Sequence, residues 1–61
     1  MSLPKDPFML LSYINTQLRD NFSSLSELSA SLGEDEEQIR NTLEKAGFVY
    51  DSSLNRFAAK Q

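Results

Sequence analysis

The sequence predicts a mainly α fold in which three helices are followed by a C-terminal β-hairpin. Three apolar segments with helical spacing each begin after a residue that favours a helix N-cap: Asp6, Ser24 and Asp35. Glycines follow the second and third segments, at the position where helices commonly end. After Gly47 the apolar pattern changes to alternation, which is typical of short strands. At 61 residues, the chain is expected to form one small domain, 1–61.

The first helix is predicted at about 7–21. Asp6 supplies a side-chain acceptor at the N-cap, and Pro7 fixes the backbone angle of the first helical residue. One apolar stripe recurs at helical spacing and is assigned to the core: Phe8, Leu11, Ile14, Leu18 and Phe22.

The second and third helices are predicted at about 25–32 and about 36–46. Ser24 with Glu27, and Asp35 with Gln38, have the spacing of a capping box. The inner faces of the two helices carry Leu25, Leu28 and Leu32, and then Ile39, Thr42, Leu43 and Ala46. A short connection containing Gly33 favours a helix-turn-helix over a plain antiparallel helical pair, because the segment that follows is typical of a wing.

The hairpin is predicted at about 48–58. Residues 51–55 have a turn-rich composition and separate two short alternating segments. Phe48, Tyr50 and Phe57 are expected to face the helices, because a two-stranded ribbon is marginal unless it packs against something. Three helices followed by such a hairpin form a winged-helix-like arrangement.

Two sets of residues resemble known families. The apolar and glycine positions of residues 25–48 resemble the core of winged helix-turn-helix domains. Over nearly the whole chain, the segments LPKDPFMLLS (3–12), LRD (18–20), SLSEL (24–28), YD (50–51) and NRF (55–57) resemble a family of short bacterial proteins, domain-of-unknown-function family 4250. That resemblance implies a bacterial, cytoplasmic protein and brings no activity, ligand or site residue with it.

The composition argues against catalysis and cofactor binding. The chain has no His and no Cys, so it lacks the usual general base near neutral pH and the most reactive nucleophile. The acidic run at 34–37 lacks the alternating ligands and central glycine of a calcium loop. No apolar run approaches the ~18 residues of a membrane span. We therefore expect no enzymatic activity, no cofactor and no metal site in a cytoplasmic protein.

A second stripe on the first helix is a candidate protein interface. It consists of Met9, Leu10, Tyr13 and Gln17, on the side away from the predicted core face. Small domains commonly leave apolar side chains exposed, and Leu10 can simply widen the core stripe. The other interpretation is a surface for a protein partner or a second copy of the chain, with Tyr13 as its anchor.

A DNA-binding regulator is the alternative function. In this interpretation the third helix enters the major groove, and the candidate contacts are Gln38, Arg40, Asn41, Lys45 and Arg56. Charge disfavours it, because five acids and two bases lie between Glu34 and Lys45, while the remaining four acids and four bases balance. The acidic run is also what a well-capped, solvated helix start requires. The sequence therefore favours a small, non-enzymatic protein-interaction module over a base-reading domain.

Overall fold

The computed structural model describes residues 3–60 as three helices followed by a two-stranded antiparallel hairpin. The elements are α1 (Pro7–Asp20), α2 (Leu25–Leu32), α3 (Glu36–Lys45), β1 (Phe48–Asp51) and β2 (Arg56–Ala59). The mainly α fold with a C-terminal hairpin is confirmed. Helices α1 and α3 each end one residue earlier than predicted, and β2 ends one residue later than predicted. The terminal residues 1, 2 and 61 of the predicted domain lie outside the described part.

The first two helices begin at the predicted caps. The Asp6 carboxylate accepts from two amides of the first turn of α1, at 2.8 and 3.3 Å. The Ser24 hydroxyl accepts from the Glu27 amide at 3.1 Å. The reciprocal bond differs from the prediction, because the Glu27 carboxylate accepts from the amide and hydroxyl of Ser23 rather than from the cap residue itself.

Helix α3 begins after Asp35, whose carboxylate accepts from the Glu37 amide at 3.0 Å. The reciprocal bond predicted from Gln38 is not among the hydrogen bonds of residues 3–60. Gly33 and Gly47 have φ of 70° and 95°, so each supplies the left-handed residue predicted at a helix end.

The core lies between the three helices and the inner face of the hairpin. Its buried residues are Leu10, Ile14, Leu18, Leu25, Leu28, Ile39, Leu43 and Phe57. The assignment of Phe8 to the core is wrong, since Phe8 is 64% exposed, and Leu10, at 3% exposed, belongs to the core and not to an interface. The side chains of α1 that point into the core are spaced at i, i+4 and i+8, beginning at Leu10. Phe8 precedes Leu10 by two residues, so its side chain is rotated by roughly 200° around the helix axis from that of Leu10. The Phe8 ring instead meets Phe48 edge to face, with centroids 6.0 Å apart.

The hairpin register places its aromatic residues against the helices, as predicted. Tyr50 lies opposite Phe57, with ring centroids 5.4 Å apart, and Phe48 lies opposite Ala59. Phe57 is buried, while Phe48 and Tyr50 are partly buried against the core. Strand β1 contacts α3 and strand β2 contacts α1, so the hairpin packs against both of these helices.

One asparagine joins β2 to α1. The Lys60 amide donates to the Gly47 carbonyl across the hairpin, so in an antiparallel ladder the backbone groups of Phe57 point away from β1. The side-chain amide of Asn15 on α1 satisfies both of them: it donates to the Phe57 carbonyl at 3.0 Å and accepts from the Phe57 amide at 2.8 Å. Asn15 therefore occupies the centre of the outer edge of β2.

A second asparagine joins the hairpin turn to the end of α1. Asn55 adopts a left-handed conformation with φ of 53°, and its amide donates to the carbonyls of Leu18 and Phe22 at 3.1 and 3.0 Å. Its side-chain oxygen accepts from the Tyr50 hydroxyl at 2.7 Å, and that hydroxyl accepts from the Leu25 amide at the start of α2. The turn, α1 and α2 are therefore held together by one polar network.

Candidate functional site

The residues predicted to contact nucleic acid lie on two separate elements. Gln38, Asn41 and Lys45 are exposed on α3, whereas Arg56 is exposed on β2, the strand that packs beside α1. Arg40 is committed within its own helix, because its guanidinium donates to Glu36 at 2.8 Å in the i,i+4 ion pair.

Two residues of the acidic run at the start of α3 have structural roles. Asp35 caps the helix, and Glu36 accepts from both Arg40 and the Ser26 hydroxyl of α2, each at 2.8 Å. Glu37 and Glu44 are exposed on the same helix. The helix that would enter a DNA groove therefore presents carboxylates and few unpaired cations among the described residues.

The stripe predicted as an interface on α1 is not a continuous exposed surface. Met9 is 63% exposed, but Leu10 is buried in the core, which contradicts it as an interface residue and confirms the other interpretation, in which it widens the core stripe. Tyr13 is partly buried against the core. Gln17 is also partly buried, and its side-chain oxygen accepts from the side-chain amide of Asn21 at 2.8 Å. Leu10 is inside because the core direction of α1 passes between the two stripes that the sequence pattern suggested.

The structure instead brings exposed apolar side chains together on the hairpin side of α1. A groove of about 760 Å³ runs between α1 and the hairpin turn. Two of its lining side chains, Phe8 from α1 and Leu54 from the turn, are each 64% exposed. The complete lining is Phe8, Leu11, Ser12, Asn15, Thr16, Leu18, Arg19, Leu54, Asn55 and Arg56. We call this feature the α1–hairpin groove.

The α1–hairpin groove has basic side chains in a chain of net charge −3. Arg19 and Arg56 line it, and none of its lining residues is acidic. Arg19 donates to Asp20 at 2.9 and 3.1 Å, and this contact holds the pKa of the Asp20 carboxyl below its ordinary value. The groove therefore combines apolar surface with guanidinium groups.

A smaller cavity of about 380 Å³ lies between the N-terminal segment and α3. Lys5, Glu34, Asp35 and Gln38 line it together with Leu10 and other apolar residues. Opposite charges meet in this cavity, so it lacks the uniform sign of the α1–hairpin groove.

Within residues 3–60 there is no group of acidic side chains arranged to hold a metal ion. Nor does any described helix have the length and apolar character needed to cross a membrane.

Sequence reasoning missed the two asparagines and the groove. Asn15 and Asn55 bond to groups that are 42, 37 and 33 residues away in the chain, and local patterns carry no signal of such contacts. The one available signal was the left-handed tolerance of asparagine in a turn. The groove arises only when α1 and the hairpin pack together.

Comparison with known proteins identifies the family. No curated protein and no solved structure matches the chain significantly. The family model described as domain of unknown function (DUF4250) matches residues 4–57, which includes α1, both following helices and most of the hairpin. The chain belongs to this family, DUF4250.

Proposed function

We propose that this protein is a small, non-enzymatic interaction module whose α1–hairpin groove binds a segment of a protein partner. The observation that carries the proposal is the presence of two large exposed apolar side chains, Phe8 and Leu54, in the lining of one groove. Single exposed apolar residues are ordinary on protein surfaces, but two large ones from separate elements in the same concavity are typical of a binding surface.

The groove is better suited to binding the side chains of a partner than to catalysing a reaction. Its polar floor residues Asn15 and Asn55 already have hydrogen-bond partners within the fold, so they are not available to act on a substrate. The chain has neither histidine nor cysteine to serve as a base or thiolate nucleophile. These features support binding without catalysis, and the family resemblance supports a bacterial cytoplasmic setting for it.

DNA binding is the second candidate, supported by the order of elements. Two helices joined at Gly33 and followed by a hairpin resemble the arrangement in which the second of the two helices reads the major groove. The charge on that helix opposes it, since Glu37 and Glu44 would approach phosphates without a basic surface to offset them. We therefore rank DNA binding below protein binding.

Selection of peptides from a random displayed library against the intact chain tests the proposal. We expect enriched peptides whose affinity falls at least tenfold in a Phe8→Ser/Leu54→Ser double variant, because both apolar contacts of the groove are removed. Met9→Ser is the matched control: Met9 is 63% exposed, comparable to Phe8, yet does not line the groove. Circular dichroism verifies that all variants fold.

Two results would contradict protein binding at this groove. One is a selection that enriches no peptide. The other is a set of peptides whose affinity falls no more in the Phe8→Ser/Leu54→Ser variant than in Met9→Ser.

A further inference from the structure

We propose that the α1–hairpin groove recognises an acidic amphipathic helix, in which apolar side chains at helical spacing are accompanied by carboxylates at one end. This inference rests on the proposed function and adds the chemistry and shape of the partner segment. Three features of the groove support it: its charge, its blocked strand edge and its length.

Charge complementarity identifies the partner as acidic. The groove contains two of the chain's six basic residues and no acidic lining residue, whereas the chain as a whole has nine acids. Arg19 uses two donor contacts on Asp20, which leaves further guanidinium hydrogens for a ligand. Arg56 lies opposite Asp51 in the hairpin ladder and helps to lower the pKa of that carboxyl, but its guanidinium makes no ion pair within residues 3–60 and keeps its donors for a ligand. Guanidinium groups bind carboxylates in directed pairs.

The hairpin turn offsets part of the negative charge at the end of α1. A helix C-terminus carries partial negative charge on its unpaired carbonyls, which would repel a carboxylate. Here the Asn55 amide donates to the carbonyls of Leu18 and Phe22, beside Arg19. Arg19 therefore lies near two carbonyls that already have a donor, and the negative charge that remains at this end is the Asp20 carboxylate, which Arg19 itself binds.

The blocked edge of β2 identifies the bound segment as a helix rather than a strand. A peptide that adds a strand to a sheet needs free backbone groups along the sheet edge. Asn15 occupies both outward-facing backbone groups of Phe57, at the centre of the edge that faces the groove. A partner in the groove must then bind through side chains, as an amphipathic helix does.

The groove also has a direction and a length. Its lining residues on α1 extend from Phe8 to Arg19, which corresponds to ~16 Å at 1.5 Å per residue. That length matches a helix of about three turns. Phe8 lies at one end of this stretch and Arg19 at the other, where Asn55 of the hairpin turn contacts the Leu18 and Phe22 carbonyls. Apolar anchors therefore fit along the groove, and carboxylates fit at the end formed by the hairpin turn.

A second copy of the chain fits this groove less well than an acidic helix. A two-fold dimer through the groove would bring the arginines of one copy either against those of its partner or, with the grooves antiparallel, against its partner's apolar Phe8 end, and neither arrangement gives the guanidinium groups a carboxylate. Docking the acidic start of α3 into the groove of another copy would be a head-to-tail contact, which forms an open chain of molecules unless it closes into a ring. The occupant is accordingly a separate acidic segment.

Fluorescence anisotropy with three synthetic 12-residue peptides tests this assignment on the intact chain. The first peptide has leucines at i, i+3, i+4 and i+7, glutamates at the other positions of its C-terminal half and alanines elsewhere. The second replaces each glutamate with lysine, and the third scrambles the first so that the apolar stripe is lost. We expect the first peptide to bind at least tenfold more tightly than either of the others, with an affinity that falls as salt rises.

Charge variants locate the contact. Arg19→Gln/Arg56→Gln should weaken the first peptide at least fivefold. The control Lys5→Gln/Lys45→Gln changes the net charge equally at positions outside the groove and should change the affinity less than twofold. Equal losses in the two variants would overturn the assignment, because they would show only a response to net charge.

Further outcomes separate this inference from the proposed function. If displayed peptides depend on Phe8 and Leu54 but carry basic or neutral residues, the acidic partner is wrong and protein binding stands. If no peptide depends on those two residues, protein binding itself fails. Displacement of the first peptide by a 12-nucleotide single-stranded oligothymidine, at equal concentration, would assign the groove to nucleic acid and overturn the inference.

Discussion

Asn55 connects three parts of the molecule through one side chain. It caps two carbonyls at the end of α1, accepts from the Tyr50 hydroxyl and holds a left-handed position in the hairpin turn. Asparagine suits this position because it tolerates the left-handed region and carries both a donor and an acceptor. The shape of the α1–hairpin groove depends on this residue, since Asn55 also lines it.

Asn55→Ala should lower the free energy of unfolding by about 2–4 kcal/mol, because partly buried polar groups lose their partners and alanine is strained at positive φ. Asn55→Gly keeps the backbone conformation and should cost less. The control is Asn41→Ala at an exposed position of α3, which should stay within about 0.5 kcal/mol. Urea denaturation measures all three, and a cost for Asn55→Ala equal to that of Asn41→Ala would contradict the role of the network.

Residues acting through local contacts were predictable, whereas those acting at long range were not. The caps at Asp6, Ser24 and Asp35 follow from neighbouring positions, and the structure has them. The ion pair between Glu36 and Arg40 likewise follows from the i,i+4 spacing of the two residues within α3. By contrast, the burial of Leu10 and the exposure of Phe8 depend on which side of α1 packs against the other elements. The apolar periodicity of α1 alone does not determine that side.

At the scale of elements, the hairpin turn is organised by one carboxylate. Asp51 accepts from the hydroxyl and amide of Ser53 and from the Leu54 amide, at 2.6, 3.0 and 3.3 Å. The Ser53 hydroxyl, followed by the Leu54 amide, holds the pKa of Asp51 below its ordinary value. The turn presents Leu54 to the groove, so its order matters for the candidate site.

Acidification should therefore loosen the hairpin turn. A carboxyl whose pKa is lower in the folded state stabilises that state above its unfolded pKa, and the contribution is lost as pH falls through the folded pKa. The loss should begin below about pH 4, where unfolded aspartate titrates. NMR titration of the Asp51 carboxyl should give a higher pKa in Ser53→Ala than in the wild type. Ser52→Ala, at the neighbouring exposed position, should leave it unchanged; equal shifts in both would contradict the assigned bond.

The predicted elements were close to those observed because each begins or ends with a strong local signal. Gly33 and Gly47 both take the left-handed conformation that was predicted for them. The change from helical to alternating periodicity correctly located β1. The packing of β2 beside α1, and thus the groove between them, has no local signal, since it depends on the Asn15 contact across 42 residues.

At the scale of the whole molecule, the chain has an acidic surface over α3 and a basic, partly apolar groove beside α1. We expect a monomer in solution, because a two-fold contact through the groove would leave its arginines without carboxylate partners, and because the predicted Met9 stripe lacks a contiguous exposed surface. Light scattering across a range of protein concentrations should give 6.9 kDa. A dimer that dissociates in Tyr13→Glu would contradict this expectation and support the interface predicted on the other side of α1.

The assignment to protein binding depends most on the charge of α3. Titration of the labelled chain with mixed-sequence duplex DNA, followed by anisotropy at ~50 mM salt, tests that point directly. We predict no binding up to about 10⁻⁵ M duplex, because the exposed carboxylates of α3 would face phosphates without a basic surface to offset them. Micromolar binding that weakens steeply with added salt would contradict this and would make the protein a DNA-binding domain.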